Sequence, residues 1–233
     1  MRPCLGEAIG VWGRGAPSAR GRWAARLTGK RVITLEDGFL RSALPGRGQP
    51  VVSVIADDLG IYFDATRPSR LDWLIANAES RPETVEAMAT LRTARLSKYN
   101  HAPDLLNRPE GHVLVIDQTR GDASITFGHA TDDSFSRMLD AARSDHPNAD
   151  IIVKTHPEVS SGTKAGYFSA KDADDRVQVI DTPVNPWDLL EGASAVYTVT
   201  SQMGMEGLLA GAPVRSFGMP FYAGWGATDD ELN

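Results

Sequence analysis

Val113-Leu114-Val115-Ile116 is followed directly by Asp117-Gln118-Thr119-Arg120-Gly121-Asp122-Ala123-Ser124. The apolar run is typical of a strand buried on both faces of a parallel sheet, and the polar, glycine-containing segment is typical of a turn. Ligands bind at the carboxyl ends of the strands in open α/β sheets, so this turn is a candidate binding site. Two later predicted strands end in similar clusters, Lys154-Thr155-His156-Pro157-Glu158 and Thr198-Val199-Thr200-Ser201-Gln202. We therefore expect the three clusters to form one site.

The second half of the chain alternates strands with helices. The pattern predicts strands at Val113–Asp117, Ile151–Thr155, Val177–Ile180, Ala195–Thr200 and near Val214–Phe217, and helices near Asp132–Ser144, after Asn185-Pro186 and at Met203–Ala210. The first of these helices has apolar residues at the i, i+3, i+4, i+7 spacing, namely Phe135, Met138, Leu139 and Ala142. Such alternation indicates a parallel, doubly wound sheet.

The first half is less regular. Strands are predicted at Arg31–Leu35, Val51–Ile55 and Gly60–Phe63, and a helix from about Pro82 to Tyr99. The helix carries one apolar stripe, which predicts packing on a sheet: Val85, Met88, Leu91 and Leu96. The proline-rich segment after residue 99 is typical of a link between domains. We therefore expect a domain over residues 1–108 and a second over 109–233, both α/β, with a cleft between them.

The amino-acid composition argues against several classes of protein. The net charge is −6, which argues against a general nucleic-acid binder, because phosphate backbones demand a basic face. Cys4 is the single cysteine, so a disulfide framework is excluded and a reducing cytoplasm is expected. No apolar run has the length of a membrane span, and the N-terminus lacks the apolar core of a secretory signal.

Each candidate residue of the first two clusters has two interpretations. Asp122 can be a nucleophile, a base, or the N-cap of the next helix. His156 precedes a proline and is therefore held extended at a strand tip, where it can donate to a phosphate or act as an acid; the alternative is a hydrogen-bonded loop histidine. Lys154 is either a surface charge or a ligand for an anion.

The third cluster joins a strand to a helix. Free N–H groups at a helix start bind anions, so Thr200, Ser201 and Gln202 can contact a phosphate, although Ser201 can equally be only the cap. Glu206, in the first turn, can hold ribose hydroxyls or complement the helix dipole. No Walker lysine pattern or Gly-x-Gly-x-x-Gly turn is present.

The remaining candidates lie outside these clusters. Glu36-Asp37-Gly38 offers a general base, with Gly38 admitting a substrate, or is simply an acidic turn. Asp57-Asp58 lacks a third oxygen ligand, and the five histidines lack zinc spacing, so no metal is expected. The aromatic segment from Phe221 to Gly226 can stack on a base or sugar, or seal the core.

Several segments in order resemble the capsule polysaccharide biosynthesis family, the KpsC-type retaining β-Kdo glycosyltransferases of Gram-negative bacteria. The matching pieces are Val11–Gly13, Leu35–Ser42, Asp57–Ala65, Leu96–Asn100, Asp117–Ser124, Val153–Glu158, Gly162–Tyr167, Tyr197–Gly204 and Phe217–Asp230. The resemblance implies a GT-B-like fold with two Rossmann-like domains facing a cleft. In the family, the module continues past Asp230 into further C-terminal helices, which we expect to be missing from this chain, and two modules often stand in tandem.

The resemblance also implies roles for residues. Asp122 is expected to be the nucleophile of a double displacement, His156 to meet the CMP phosphate, and Glu36 or Asp37 to deprotonate the acceptor. Donor binding is expected from Gln118, Ser124, Lys154, Pro157, Thr200, Ser201, Gln202 and Glu206. The Kdo carboxylate needs a cation, for which Arg41, Arg120 and Lys154 are candidates. CMP-Kdo is the expected donor, and no metal or other cofactor is required.

The resemblance finally implies partners and a location. We expect a glycolipid or oligo-Kdo acceptor, no nucleic acid, and a place at the cytoplasmic face of the inner membrane, with association with a capsule-export complex. Two alternatives remain at this point. One is a transferase for another CMP-activated acidic sugar, such as a sialic acid. The other is a donor-binding or assembly module without catalytic activity.

Overall fold

The first half of the chain builds a three-stranded sheet. In the computed structural model, which describes residues 6–45 and 48–232, β1 (Ala8–Trp12) pairs parallel with β2 (Arg31–Asp37), and β3 (Val54–Asp57) pairs antiparallel with β2. Helix α1 (Ala16–Thr28) joins β1 to β2 and packs on one face of the sheet. Cys4, on which the expected reducing compartment depends, lies outside the described residues.

The other face of this sheet is apolar and only partly covered by the described residues. Trp12, Ile33, Leu35 and Val54 lie on it, because side chains alternate along a strand and these positions are in register. Trp12 is half exposed and Val54 is 51% exposed. The first sheet is therefore packed firmly on the α1 side alone.

Of the strands predicted in the first half, one is displaced along the chain and one is wrong. The strand expected at Val51–Ile55 runs from Val54 to Asp57, and the strand expected at Gly60–Phe63 is a turn followed by irregular chain. The Asp57 side chain accepts hydrogen bonds from the backbone N–H groups of Leu59 (2.8 Å) and Gly60 (2.7 Å). An aspartate that bonds backbone two residues on makes a turn, which prevents a strand from starting at Gly60.

Two helices connect the halves, α2 (Arg70–Ala76) and α3 (Pro82–Thr93). The helix predicted to reach Tyr99 ends earlier because Arg95 adopts a left-handed conformation (φ 52°) and its guanidinium pairs with Asp188. The predicted packing of the apolar stripe on a sheet is also wrong, since no residue of α3 is buried. Arg92 donates to the carbonyl of Ala210, so the helix lies at the periphery of the second half.

The second half forms a six-stranded, all-parallel sheet in the spatial order β6-β5-β4-β7-β8-β9. Its strands are β4 (Val113–Ile116), β5 (Ile151–Lys154), β6 (Val177–Ile180), β7 (Ala195–Thr198), β8 (Val214–Ser216) and the short β9 (Asp229–Asp230). The chain order reverses between β4 and β7. In doubly wound sheets this switch point opens a crevice at the carboxyl ends of the strands.

Helices cover both faces of the second sheet. They are α4 (Ala123–Phe127), α5 (Asp133–Asp145), α6 (Pro157–Ser160), α7 (Pro186–Leu190) and α8 (Gln202–Ala210), with a 3-10 turn at Ala170–Asp172. The apolar stripe of α5 packs with one side of the sheet as predicted. Two helix ends follow the residue preferences of caps: Asn185 caps α7, and Gly211 ends α8 in a left-handed conformation (φ 89°).

Aromatic contacts join the halves. The ring of Phe221 stacks on Phe39 at a centroid distance of 5.0 Å and meets Tyr62 edge-on at 5.7 Å. The Tyr222 side chain is buried and its hydroxyl donates to the carbonyl of Ser201. Of the two interpretations of the Phe221–Gly226 segment, these two residues follow the one in which they seal the core.

Candidate active site

A cavity of about 240 Å³ lies at the carboxyl ends of β4 and β5, beside the start of α8. The second half contributes predicted site residues to its wall, namely Lys154, His156, Pro157, Ser201, Gln202 and Glu206. Lys98 and Tyr99, from the segment that follows α3, line the same cavity. The second and third polar clusters therefore meet, as the sequence predicts, because the ends of parallel strands lie at one edge of the sheet.

Three of the predicted donor-binding residues bond to one another across the switch point. Gln118, after β4, donates from Nε2 to Thr200 Oγ1 at 3.0 Å and accepts from the Thr200 N–H at 2.9 Å. The Ser124 hydroxyl lies 3.0 Å from the Thr200 hydroxyl. This network fastens the Gln118–Ser124 loop to the end of β7 and so fixes where Asp122 stands.

Asp122 caps α4 and is not among the residues that line the cavity, so the expected single site of three clusters includes the first cluster there only through Asp117. One carboxylate oxygen accepts from the Ser124 N–H at 2.9 Å, and the side chain is exposed. Its charge acts on the pKa of His156 from one side and on the pKa of Glu36 from the other. The capping interpretation is therefore correct, and the cap uses one of the two carboxylate oxygens.

His156 is the N-cap of α6, and its Nδ1 accepts a hydrogen bond from the Glu158 N–H at 3.1 Å. Burial lowers the pKa of His156 to about 4, so the ring is neutral at pH 7. Because Nδ1 is an acceptor, the proton of the neutral ring is on Nε2. His156 thus offers a hydrogen-bond donor to the cavity, and a neutral ring with so low a pKa is not set up as a general acid.

Lys154 is buried in the cavity wall at the end of β5. Its Nζ donates to the carbonyl of Thr155 at 2.8 Å, and burial lowers its pKa to about 8, opposed by the charges of Asp181 and Asp117. The amine is therefore still mainly protonated at pH 7. Lys98 lines the same cavity, so two cationic side chains face one small space.

The other two candidate cations are held by carboxylates. Arg41 Nε bonds Asp37 at 2.6 Å, and Arg120 bonds Asp132 at 2.8 Å while its guanidinium lies over the Tyr167 ring. Both arginines thus have acidic partners already. Lys154 is the member of the predicted set that lines the cavity.

Asp117, at the end of β4, fixes a neighbouring loop beside the site. The carboxylate accepts from the N–H groups of Gln118 (2.8 Å) and Tyr167 (3.0 Å), and burial raises its pKa to about 6. A Cβ at Gly166 would collide with the same carboxylate, so only glycine fits there. Asp117 therefore ties the 164–168 loop to the end of β4.

Residues at the start of α8 form hydrogen bonds with the first half. Ser201 caps the helix by accepting from the Met203 N–H at 3.2 Å, and Gln202 Nε2 donates to the carbonyl of Phe39 at 2.8 Å. The buried Glu206 carboxylate accepts from the Ser97 hydroxyl at 2.9 Å, and burial raises its pKa to about 7. Glu206 thus holds the segment that carries Lys98 against α8.

Glu36 and Asp37 end β2 on the opposite side of the cleft. Burial raises the pKa of the Glu36 carboxyl above its ordinary value, and the nearby charges of Asp37 and Asp122 add to the rise. Asp37 is paired with Arg41. Gly38 does not admit a substrate as expected, because Ser53, in the segment before β3, fills the space beside it.

Sequence reasoning missed Lys98 and Tyr99 as site residues. They belong to the Leu96–Asn100 piece of the resemblance, but the prolines that follow directed attention to a link between domains. In the structure, Tyr99 forms a strand-like bridge with Ser42, and the segment closes one side of the cavity.

Residues 6–45 and 48–232 contain no group of three His, Cys, Asp or Glu side chains arranged to hold a metal ion. In the same ranges no helix has the length and apolar character needed to cross a membrane. Asp57, one of the acidic pair considered above, uses its carboxylate for backbone N–H groups, including that of Arg70 at 2.8 Å.

Comparison with known proteins gives consistent matches. The model of the family described as capsule polysaccharide biosynthesis protein matches residues 7–101 and 86–232. Capsule polysaccharide modification protein LipA of Neisseria meningitidis serogroup B is 45% identical over 238 residues, 96% of this chain and 34% of LipA. Lipopolysaccharide-processing protein LpsZ of Rhizobium meliloti is 35% identical over 84% of this chain and 47% of LpsZ. The chain thus spans between a third and a half of the length of these relatives.

Two solved structures of KpsC from Thermosulfurimonas dismutans are similar to the chain. The β-Kdo 2,4 transferase matches with a TM-score of 0.91 and 42% identity, covering 97% of this chain and 74% of that one. The β-Kdo 2,7 transferase matches with a TM-score of 0.66 and 30% identity, covering 97% and 69%. The predicted GT-B-like α/β fold with its parallel sheet is confirmed by these matches.

Proposed function

Because the chain belongs to the capsule polysaccharide biosynthesis protein family, we propose that it carries a β-Kdo transferase module acting in capsule polysaccharide synthesis. The observation that carries the proposal is the TM-score of 0.91 to the KpsC β-Kdo 2,4 transferase. Since the match to the 2,7 transferase is weaker in both fold and sequence, we propose that the linkage formed is 2,4.

The proposed donor is CMP-β-Kdo, bound in the cavity beside α8. The phosphate would accept from His156 Nε2 and from Ser201 and the first amides of α8, because a helix start favours an anion. The Kdo carboxylate would face Lys154 and Lys98, the two cations that line the cavity. The network of Gln118, Ser124 and Thr200 supports the donor loop from behind rather than touching the sugar.

The first proposed step is the attack of the Asp122 carboxylate on the anomeric carbon of Kdo. The bond from that carbon to the phosphate oxygen breaks, and CMP leaves with the electron pair. Negative charge gathers on the departing phosphate, where hydrogen bonds and nearby cations stabilise it most. The Ser124 N–H that bonds Asp122 orients the carboxylate. This step leaves a covalent glycosyl-enzyme, and no metal is invoked.

The second proposed step is the attack of the acceptor hydroxyl on the same carbon. The bond to Asp122 breaks, and Glu36 takes the hydroxyl proton, so the two inversions retain the configuration. Glu36 suits this role better than Asp37 because burial raises its pKa, whereas Asp37 is paired with Arg41. The acceptor would be a glycolipid or a Kdo-terminated chain that enters from the first half.

The setting proposed for this activity is the cytoplasmic face of the inner membrane, where a lipid-linked acceptor and a cytoplasmic nucleotide sugar meet. Association with a capsule-export complex is proposed as well. The curated relatives are two to three times as long as this chain, so the module would act together with further parts of such proteins.

Intact-mass spectrometry with CMP-Kdo and no acceptor tests the chemistry. The expected result is a mass gain of one Kdo residue on the wild-type chain and on Asp133→Asn, which alters an equally exposed aspartate at the start of α5. Asp122→Asn should show no adduct. Persistence of the adduct in Asp122→Asn would place the nucleophile elsewhere.

Donor choice separates the alternatives. Release of CMP from CMP-sialic acid in preference to CMP-Kdo would identify a transferase for another acidic sugar. Binding of CMP by the wild-type chain without adduct or transfer, together with transfer by a full-length relative, would identify a donor-binding module without catalysis.

A further inference from the structure

Helix α1 presents an unusual outer face. Trp23 and Leu27 lie one turn apart and are 64% and 66% exposed. At 100° per residue, Arg20 and Arg26 flank this apolar pair on its two sides, and both are exposed. Neither arginine forms an ion pair with any of the described residues. The face thus combines a large aromatic, an aliphatic side chain and uncompensated positive charge.

A basic groove lies beside the same helix. It is a cavity of about 600 Å³ between α1, β2 and the turn after β3. Six basic side chains line it: Arg14, Arg22, Arg26, Lys30, Arg31 and Arg67. The basic side chains of the groove repel one another: burial, together with the charges of Arg14 and Arg67, lowers the pKa of Arg22.

The carboxylates near the groove do not neutralise it. Asp58 is paired with Arg70 at 2.8 Å, and Asp57 accepts from three backbone N–H groups. Asp64 pairs with Arg14 and Arg67, and Arg31 lies 3.9 Å from Glu7. Arg22 and Arg26 form no ion pair with any of the described residues, so they add positive charge that these carboxylates do not offset. A strongly basic surface stands out in a chain whose net charge is −6.

We propose that α1 and the basic groove dock the protein on an anionic lipid bilayer. Phospholipid headgroups would enter the groove, and the side chains of Trp23 and Leu27 would enter the interface between headgroups and acyl chains. A helix with Trp and Leu on one face and arginines at its margins has the composition of helices that lie in the membrane plane. Basic residues near an anionic leaflet each add to binding, and tryptophan favours the headgroup level.

The inference concerns a surface separate from the proposed chemistry. No residue of α1 or of the basic groove lines the cavity beside α8. Lipid binding therefore requires no sugar transfer, and a failure of one proposal leaves the other to be judged by its own measurement.

Vesicle sedimentation tests the docking surface with two lipid compositions. One set of vesicles contains phosphatidylcholine alone, and the other contains in addition about 30 mol% phosphatidylglycerol to supply the negative surface potential. We expect the wild-type chain to bind the anionic vesicles at least about tenfold more tightly, and to be released as salt shortens the screening length. Equal binding to both sets, or binding to neither, would overturn the proposal.

Paired variants locate the surface. Arg20→Gln with Arg26→Gln should weaken binding roughly 25-fold, at about fivefold per arginine. Trp23→Ala with Leu27→Ala should weaken it by about tenfold. Trp73→Ala with Leu74→Ala is the matched control, since these side chains of α2 are 50% and 51% exposed, and it should bind like wild type.

A second control removes two exposed basic residues elsewhere, Arg81→Gln with Lys171→Gln. Circular dichroism and the unfolding temperature should be unchanged in all variants, because every altered side chain is exposed. An equal loss of binding in a control pair and in its test pair would show that general charge or apolarity, and not α1, holds the protein to the vesicle.

Discussion

The sheet of the second half is buried on both faces, whereas the sheet of the first half has one face that the described residues leave half open. The two apolar clusters that sandwich β4–β8 draw their buried side chains from residues 113–222 alone. Among the described residues, the first half buries only Val11, Ala25, Ile61 and Phe63 as apolar side chains. The second half therefore has a core of its own, and the first half depends on α1 and on contacts with its neighbour.

This difference matters for the proposed site. Asp122, His156 and Ser201 stand on loops whose ends are fixed by a close-packed sheet, which suits residues that must hold a charged donor in one geometry. Glu36 stands on the less completely packed sheet, and it is brought to the cleft by the contacts of Gln202 and Glu206 with the first half. The structure thus combines a firm donor side with a more weakly held acceptor side.

The largest expected effect compares the two cores directly. Leu114→Ala, at a position with 0% exposure, should lower the free energy of unfolding by about 3 to 5 kcal/mol through lost burial and a cavity. Val54→Ala, on the open face, should lower it by less than about 1 kcal/mol. Urea unfolding followed by far-UV circular dichroism measures both. Equal losses would mean that the first sheet is as tightly packed as the second.

The second prediction concerns the junction between the halves and its dependence on pH. Because the pKa of Glu206 is raised from 4.5 to about 7, the folded protein binds this proton more tightly than the unfolded chain. The contribution of this proton to the free energy of unfolding is greatest below pH 4.5 and is lost as the pH rises through 7. The loss amounts to about 3 kcal/mol. The free energy of unfolding of Glu206→Gln, relative to wild type, should therefore rise by that amount between pH 4.5 and 8.

Glu83→Gln is the control for this pH series. Glu83 is exposed in the first turn of α3, so its difference from wild type should stay nearly flat over the same range. Taking differences from wild type cancels the opposing contribution of His156, whose pKa is lowered. A flat difference for Glu206→Gln as well would show that this carboxylate is not held in a desolvated site.

The smallest of the three effects separates the chemical roles of the halves. Glu36→Gln should slow sugar transfer to the acceptor by about 100-fold, as expected for loss of a general base, while adduct formation with donor alone is unchanged. The rate of the wild-type chain should fall as pH drops through a value above the ordinary glutamate pKa, since burial raises the pKa of Glu36. That acid limb should be absent from the residual activity of the variant, and an equal loss of adduct formation would contradict the division of roles.

Sequence reasoning worked best where local pattern and tertiary packing agree. Strands β4 to β8 were predicted to within two residues, because runs such as Val113–Ile116 are apolar at every position and admit one environment, whereas the two-residue β9 was not predicted. It failed at Gly60–Phe63 because the side chain of Asp57 turns the backbone there. The predicted packing of α3 on a sheet was wrong because an apolar stripe shows only that a helix could pack on another element. It does not show that such an element lies beside the helix.

The site shows the same division. The rule for strand ends predicts that Lys154, His156 and Ser201 are neighbours, and all three line the cavity beside α8. It did not reveal that Gln118, Ser124 and Thr200 bond to one another, nor that Lys98 closes the cavity. These contacts join residues that are far apart in the chain. Gln118 and Thr200, for example, are 82 positions apart.

Local pattern was sufficient for the class of fold, the alternation of β4 to β8 with the longer helices and the polar character of the strand ends, because periodicity and capping depend on neighbours in the chain. It did not predict the short elements α4, α6 and β9. Which carboxylate is free and which is paired, and where the basic surface beside α1 gathers, depended on distant segments meeting in space. Burial and pairing set the charge state of Glu36, His156 and Glu206, and neither can be read from residues adjacent in sequence.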